Sequence, residues 1–121
     1  MILADTSVWI DHFRKPIARL GDLLADEQVC SHPFISGELA VGTVNPRHRT
    51  ILLLRCLQQL EPVDDSSFFR FLDHYSLNGR GLSFVDVHLL AAVSQLKGAK
   101  LWSHDRRMRE QAERLGLAYQ T

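Results

Sequence analysis

The segment ILADTSVWIDHFR, residues Ile2–Arg14, passes from a strand pattern to a helical pattern within a few residues. Its start, Ile2–Ala4, is short and apolar, which predicts a buried strand. A helix is predicted over 7–13, with Thr6 or Ser7 as its cap, because their hydroxyls can accept hydrogen bonds from the first turn. A strand that leads directly into a helix is the repeating unit of an α/β fold, so this segment indicates the fold class.

The rest of the 121-residue chain alternates in the same way between short apolar runs and longer helical patterns. Strands separated by helices predict a mainly parallel sheet that is covered on both faces. We therefore expect an α/β/α sandwich with a central sheet of four to five strands, in one domain that spans residues 1–121. Further strands are predicted at 29–31, 62–64, 100–103 and 117–119, and further helices at 17–27, 33–44, 48–60, 66–79, 82–96 and 105–116.

The composition is that of an ordinary globular protein, with 45% hydrophobic residues. Fourteen basic residues balance fourteen acidic ones, so no overall basic field indicates nucleic acid. Cys30 and Cys56 are too few for a disulfide framework or a zinc site, and we expect both to be buried free thiols. The sequence shows neither a signal peptide nor an apolar run of about 18 residues, which predicts a cytoplasmic protein with no membrane span.

Four carboxylates occupy positions where a solvated acid is not expected. Asp5 ends the first strand, Glu38 lies on the apolar stripe of its helix, Asp86 lies on the apolar side of the helix over 82–96, and Asp105 follows the strand over 100–103. Each has a structural explanation when taken alone. Asp5 and Asp105 can cap helices, Ser83 and Asp86 have the capping-box spacing, and a buried Glu38 can be hydrogen-bonded.

Taken together, the four acids predict a metal site. In an open α/β sheet, the ends of strands and the starts of helices meet at the crevice where ligands bind. Clustered carboxylates raise one another's pKa and stay ionised there only with a cation, and Mg²⁺ or Mn²⁺ prefers oxygen ligands. Such a site suits phosphodiester hydrolysis, so we expect Asp5, Glu38, Asp86 and Asp105 to be both metal ligands and catalytic residues.

Four segments of the chain resemble the PIN-domain ribonucleases, and among them the VapC-type toxins of toxin–antitoxin pairs. They are ILADTSVWIDHFR with Asp5, FISGELAVG with Glu38, GLSFVDVHLLAAV with Asp86 and AKLWSHDRRM with Asp105. Their order and spacing cover nearly the whole chain. The resemblance implies an α/β/α sandwich, Mg²⁺ or Mn²⁺ at the acids, and endonucleolytic cleavage of RNA. Ser103 stands where the family often has Thr, and His104 where Arg is more common.

The resemblance also implies partners for the chain. VapC-type toxins commonly form homodimers and are held inactive by a small antitoxin whose tail fills an apolar groove and approaches the acids. Candidate walls for that groove are the segment TILLLRCL, residues 50–57, and the side of the first helix that carries Val8, Trp9 and Phe13. Each could instead belong to the core, which is the usual place of such residues.

Several residues near the acids are candidates for positioning the substrate. Ser7 and Ser103 carry hydroxyls beside Asp5 and Asp105, and either could instead serve the local backbone. Without the four proposed metal acids, 14 basic side chains face 10 acidic ones, which favours RNA binding. Arg106 is the leading candidate for a phosphate contact, and its neighbours Arg107 and Arg109 are further candidates. Solvated basic side chains are the alternative for all three.

Other functions are weighed against this one. A phosphatase of the haloacid dehalogenase type needs a second Asp two residues after the first, where this chain has Ser7, and a receiver domain needs paired early acids. Two alternatives stay open: a PIN nuclease that processes RNA without a toxin role, and a degenerate PIN-fold module that binds proteins and whose acids only cap helices.

Overall fold

A computed structural model describes residues 1–120 of the chain, which contain four strands and seven helices. The strands are β1 (Ile2–Ala4), β2 (Val29–Ser31), β3 (Gln58–Gln59) and β4 (Lys100–Trp102). The helices are α1 (Thr6–Arg14), α2 (Ala18–Ala25), α3 (Pro33–Val41), α4 (Arg47–Cys56), α5 (Asp65–His74), α6 (Phe84–Ser94) and α7 (Arg106–Arg114). The predicted α/β class is confirmed.

The four strands form one parallel sheet in the order β3-β2-β1-β4. β1 is central, with Ile2 in register with Val29 on one side and Lys100 on the other. The strand predicted over 117–119 is reduced to a single parallel bridge between Leu101 and Ala118, beyond β4.

The third strand lies at Gln58–Gln59 and not at 62–64, so that prediction is wrong, and the helix predicted over 48–60 ends at Cys56. Both glutamines are exposed, and an edge strand with two polar side chains carries no alternating apolar pattern. The Gln59 amide donates to the carbonyl oxygens of Leu54 and Leu57, each at 2.9 Å. Gln59 therefore closes the end of α4, and both glutamines extend the sheet.

α6 is buried on every side over 87–93, which accounts for the apolar run that marks it in the sequence. A helix that is apolar all round belongs inside a domain and not on its surface. Its first turn, with Asp86, comes before this buried run and reaches the edge of the core, where Asp86 is partly exposed.

The strand order places a crevice beside β1. The chain runs outward from β1 to β2 and β3, then crosses back to the other side of β1 as β4. Ligands of open α/β sheets bind at the carboxyl ends of the strands where the order reverses in this way, here between β1 and β4. At that point the N–H of Asp5 donates to the carbonyl oxygen of Trp102 at 3.0 Å, which joins the ends of the two strands.

Both cysteines are free thiols, as predicted, but only Cys30 is buried. Cys56 is exposed because α4 buries Leu54, and a residue two positions further lies on nearly the opposite side of a helix. In residues 1–120, no helix is both long enough and apolar enough to cross a membrane.

Candidate active site

Asp5 stands at the carboxyl end of β1 and forms the cap of α1. Its carboxylate accepts hydrogen bonds from the backbone N–H of Ser7 at 3.0 Å and of Val8 at 3.4 Å, and also from the Ser7 hydroxyl. The prediction that Thr6 or Ser7 caps this helix is wrong, because Asp5 keeps an extended backbone and Thr6 is already helical. The helix start thus holds the Asp5 carboxylate in one orientation, with only 4% of the residue exposed.

Burial raises the pKa of Asp5 above its ordinary value. Hydrogen bonds from the Ser103 and Ser7 hydroxyls and from the Val8 N–H lower this pKa, and the charge of Asp86 raises it. The net direction is upward, so Asp5 is a carboxylate whose ionised form would gain from a nearby cation.

Glu38 is exposed, whereas the sequence predicts it within the inner stripe of its helix. α3 buries Ile35, Ser36 and Leu39, and Glu38 lies about 60° outside that stripe. Partial burial of its carboxyl nevertheless raises the pKa of Glu38, and the charges of Asp86 and Asp5 raise it further. Glu38 is therefore close enough to both acids to be influenced by their charge.

Asp86 takes part in a complete capping box at the start of α6. The Ser83 N–H donates to Oδ2 of Asp86 at 3.0 Å, and the Asp86 N–H donates to Oγ of Ser83 at 3.1 Å. The side chain is partly exposed and not deeply buried as expected from its place on the apolar stripe. The capping hydrogen bond is accepted by Oδ2 of Asp86, so Oδ1 takes no part in the capping box and can accept another partner.

Asp105 is exposed and caps α7 by accepting a hydrogen bond from the Met108 N–H at 3.1 Å. The side chain is therefore solvated, contrary to the expectation for this position. Its charge is not among those that shift the pKa of Asp5 or Glu38. The charge of Asp86 thus acts on Asp5, the charges of both act on Glu38, and Asp105 caps the neighbouring helix.

Two hydroxyls connect these helix starts. The Ser7 hydroxyl accepts a hydrogen bond from the His104 N–H at 2.9 Å and lies 3.4 Å from Oγ of Ser103. Ser103 in turn accepts from the Asp105 N–H at 3.0 Å. Both serines, which the sequence analysis proposed as positioning residues, contact the groups around Asp5, and their action on substrate stays a prediction.

His104 pairs with Asp11, a contact that the sequence analysis missed. Nδ1 of His104 lies 2.6 Å from Oδ2 of Asp11, and both side chains are partly exposed. The pair joins residues 93 positions apart, so no local pattern could have indicated it.

Arg106 points along the surface of its own helix. Its Nε lies 3.6 Å from Oε1 of Glu110, one turn further on α7, and both side chains are well exposed. An exposed pair of this kind contributes little stability. Its role as a phosphate contact is untested by this arrangement.

The donor set fits a hard divalent cation. Asp5, Glu38 and Asp86 supply only carboxylate oxygens, and their mutual charge disfavours three ionised groups without a cation. Within residues 1–120, no group of three or more His, Cys, Asp or Glu side chains is close enough together to enclose a metal ion. Such a cage is not what Mg²⁺ requires, because it usually keeps several waters and binds through one or two carboxylates and substrate phosphate.

The predicted groove walls are only partly at the surface. Val8 and Trp9 are fully buried and belong to the core, so they cannot line a groove. In the segment 50–57, Thr50 and Leu54 are buried while Leu52 and Leu53 are exposed. A groove of about 450 Å³ lies instead between α1 and the end of α3. It is lined by Ile10, Phe13, Arg14, Glu38, Leu39, Gly42, Thr43, Val44 and Asn45.

Comparison with known proteins gives a clear relative. The chain is 41% identical over 118 residues to Ribonuclease VapC32 of Mycobacterium tuberculosis, in the strains CDC 1551 / Oshkosh and ATCC 25618 / H37Rv. This match covers 98% of the chain and 95% of the relative. No family model matches the chain.

The fold is also that of a solved structure. The crystal structure of PAE2754 from Pyrobaculum aerophilum superposes with a TM-score of 0.59 and 17% sequence identity, over 94% of this chain and 85% of the other. At this identity, the likeness bears on the fold alone. The extent and identity of the match to Ribonuclease VapC32 carry the assignment: the chain belongs to the VapC family of PIN-domain ribonucleases.

Proposed function

We propose that the protein is a Mg²⁺- or Mn²⁺-dependent endoribonuclease that hydrolyses RNA phosphodiester bonds in the cytoplasm, as the toxin of a toxin–antitoxin pair. Membership of the VapC family supports the ribonuclease activity. One observation carries the proposed metal dependence: at the crevice beside β1, the charge of Asp86 raises the pKa of Asp5, and the charges of both raise the pKa of Glu38.

The protein's own groups orient the acids before any substrate binds. Ser7 and Val8 hold Asp5, and Ser83 holds Asp86, so two of the three carboxylates have fixed directions. A divalent cation held by Asp5, Glu38 and Asp86 would lower the pKa of the attacking water and offset charge on the phosphate. Asp105, at the neighbouring helix start, is the fourth proposed acid.

Helix starts favour the approach of a phosphate to this edge. The N-terminal cap is Asp5 in α1, Ser83 in α6 and Asp105 in α7. The N-terminus of a helix carries a partial positive charge and so attracts anions. This field offsets part of the repulsion between RNA and the acids, while Ser7 and Ser103 keep Asp5 oriented.

Asp5→Asn should abolish RNA cleavage and leave the fold intact. Asn accepts the same capping hydrogen bonds as Asp, so the melting temperature should stay within a few degrees of the parent's. Loss of the charge removes an anionic ligand, and we expect cleavage of total cellular RNA to fall by about a hundredfold or more. Growth inhibition on expression should be lost with it. Rates are compared with Mg²⁺, with Mn²⁺ and with excess EDTA.

Asp64→Asn is the matched control. Asp64 caps α5 by accepting from the Ser67 N–H at 2.7 Å, and it is not among the charges that act on Asp5 or Glu38. This variant should cleave RNA at the parent's rate. Parent-level cleavage by Asp5→Asn, or by the parent in excess EDTA, would contradict the proposed function.

We further propose that a cognate antitoxin binds in the groove between α1 and α3. Ile10, Phe13 and Leu39 give the groove apolar sides, and Arg14 and Glu38 give it charge. Because Glu38 is also one of the three clustered acids, a segment seated here would cover the site. A segment with apolar side chains and a basic group directed at Glu38 suits this lining.

Ile10→Glu should weaken antitoxin binding without loss of RNA cleavage. Ile10 is 42% exposed in the groove. A glutamate there would remove the apolar contact with the antitoxin, and we expect Kd to rise by about tenfold or more. Val41→Glu is the control, since Val41 is 90% exposed and lies outside the groove lining. Titration with the purified antitoxin measures both, and an equal Kd for the two variants would rule out this groove.

We also propose a homodimer. Phe69 on α5 and Phe84 at the start of α6 are 59% and 60% exposed, and both rings contact Phe68, with centroids 5.3 and 5.0 Å away. A contiguous apolar surface of this kind often marks a protein interface. Sedimentation equilibrium should show a dimer for the parent and for Leu52→Ser, whose residue is similarly exposed on α4, and a monomer for Phe84→Ser. A monomeric parent would contradict the proposal.

A further inference from the structure

Arg107, the second residue of α7, lies across the loop that leads into α6. Gly81 in that loop has a backbone φ of +81°, and a Cβ placed on it would come within 2.6 Å of Cδ, 2.9 Å of Nη1 and 3.0 Å of Nε of Arg107. Such distances are too short for a real Cβ. The stem and guanidinium of Arg107 can therefore lie flat on the loop only because residue 81 is glycine.

This contact places the Arg107 side chain against the loop that leads into α6. Two residues after Gly81, Ser83 begins α6 and holds Asp86 through the capping box. Two residues before Arg107, Asp105 begins α7. The Arg107 side chain thus spans from the start of α7 to the loop before the start of α6.

Arg107 differs from its neighbour Arg106 in how its charge is used. Ion pairs within residues 1–120 join His104 to Asp11 and Arg106 to Glu110, and neither includes Arg107. Arg107 remains exposed to solvent. An exposed arginine that is held by packing keeps its forked donors for an anion and loses little conformational entropy when it binds one.

We propose that Arg107 is a substrate-positioning residue, which binds the phosphate of an RNA nucleotide next to the scissile one. This inference rests on the proposed ribonuclease function and deepens it. A guanidinium can donate two parallel hydrogen bonds to phosphate oxygens, and contacts of this kind set the register of a nucleic acid without reading its sequence.

RNA binding in the cleavage-deficient Asp5→Asn background tests the proposal, with labelled total transfer RNA as the probe. Arg107→Gln should weaken binding by about tenfold and reduce the slope of log K against log salt by about one, because one phosphate contact is lost. Arg107→Lys should recover part of the affinity, since it restores the charge but not the fork. Arg55→Gln, which removes an exposed arginine of α4, should leave the affinity within about twofold of the background.

Two glycines supply a matched pair of controls. Gly79 and Gly81 have φ values of +75° and +81°, but a Cβ on Gly79 would meet nothing within 4 Å. Gly79→Ala and Gly81→Ala therefore share the backbone strain, and only the second displaces Arg107. Gly81→Ala should weaken RNA binding beyond the effect of Gly79→Ala, and equal affinities for the two would overturn the proposal.

Kinetics with Asp5 intact separate positioning from loss of the fold. Arg107→Gln should raise KM and leave kcat within about twofold, whereas a damaged fold would lower kcat as well. An unchanged KM and salt slope in Arg107→Gln, with a parent that cleaves RNA, would overturn this inference alone. A parent that neither binds nor cleaves RNA would overturn the proposed function together with it.

Discussion

The carboxylate of Asp5 accepts hydrogen bonds from the first turn of α1 at the carboxyl end of the central strand, and the site is arranged around that contact. A buried carboxylate costs several kcal/mol if it is left unpaired. Here the cost is offset by the Ser7 and Val8 N–H groups, by two serine hydroxyls and by the start of the helix. Burial still raises the pKa of Asp5, so a nearby cation would favour its ionised form.

Capping and metal binding are compatible roles for the same acids. Asp5 and Asp105 each cap a helix and Asp86 completes a capping box, which is the ordinary structural explanation for acids at such positions. A carboxylate has about four lone-pair sites, and a cap uses only one or two of them. The cap then serves as the support that directs the remaining oxygens. Glu38, which lies within α3, has no such support and is the most exposed of the three clustered acids.

The sequence was sufficient for the features that depend on local patterns. The apolar runs predicted β1, β2 and β4, and the continuous apolar stretch predicted α6. The acids that come directly after strands predicted the crevice. β3 was misplaced because two exposed glutamines carry no strand signal, and the cap of α1 was misassigned because three successive polar residues could each supply it. Burial of Glu38 and Asp86 was overestimated, because helical spacing does not show where the core ends.

Contacts between distant segments could not be predicted in this way. The pairing of His104 with Asp11 and the packing of Arg107 on Gly81 depend on how β4 and α7 meet α1 and the loop before α6. The walls of the groove could not be predicted either. Val8 and Trp9 form one apolar pattern with Phe13 in the sequence, but in the structure both are buried in the core. Such features follow from the strand order, which brings the ends of β1 and β4 together.

Calorimetric titration of the protein with Mn²⁺ tests most directly whether the clustered carboxylates share a cation. The account predicts a saturable binding heat that is lost in Asp5→Asn and kept in Asp64→Asn. The affinity should fall as the pH is lowered, beginning at a higher pH than for ordinary carboxylates, because the raised pKa of Asp5 and of Glu38 lets protons compete earlier. No binding heat in the parent, or equal binding by the parent and Asp5→Asn, would contradict it.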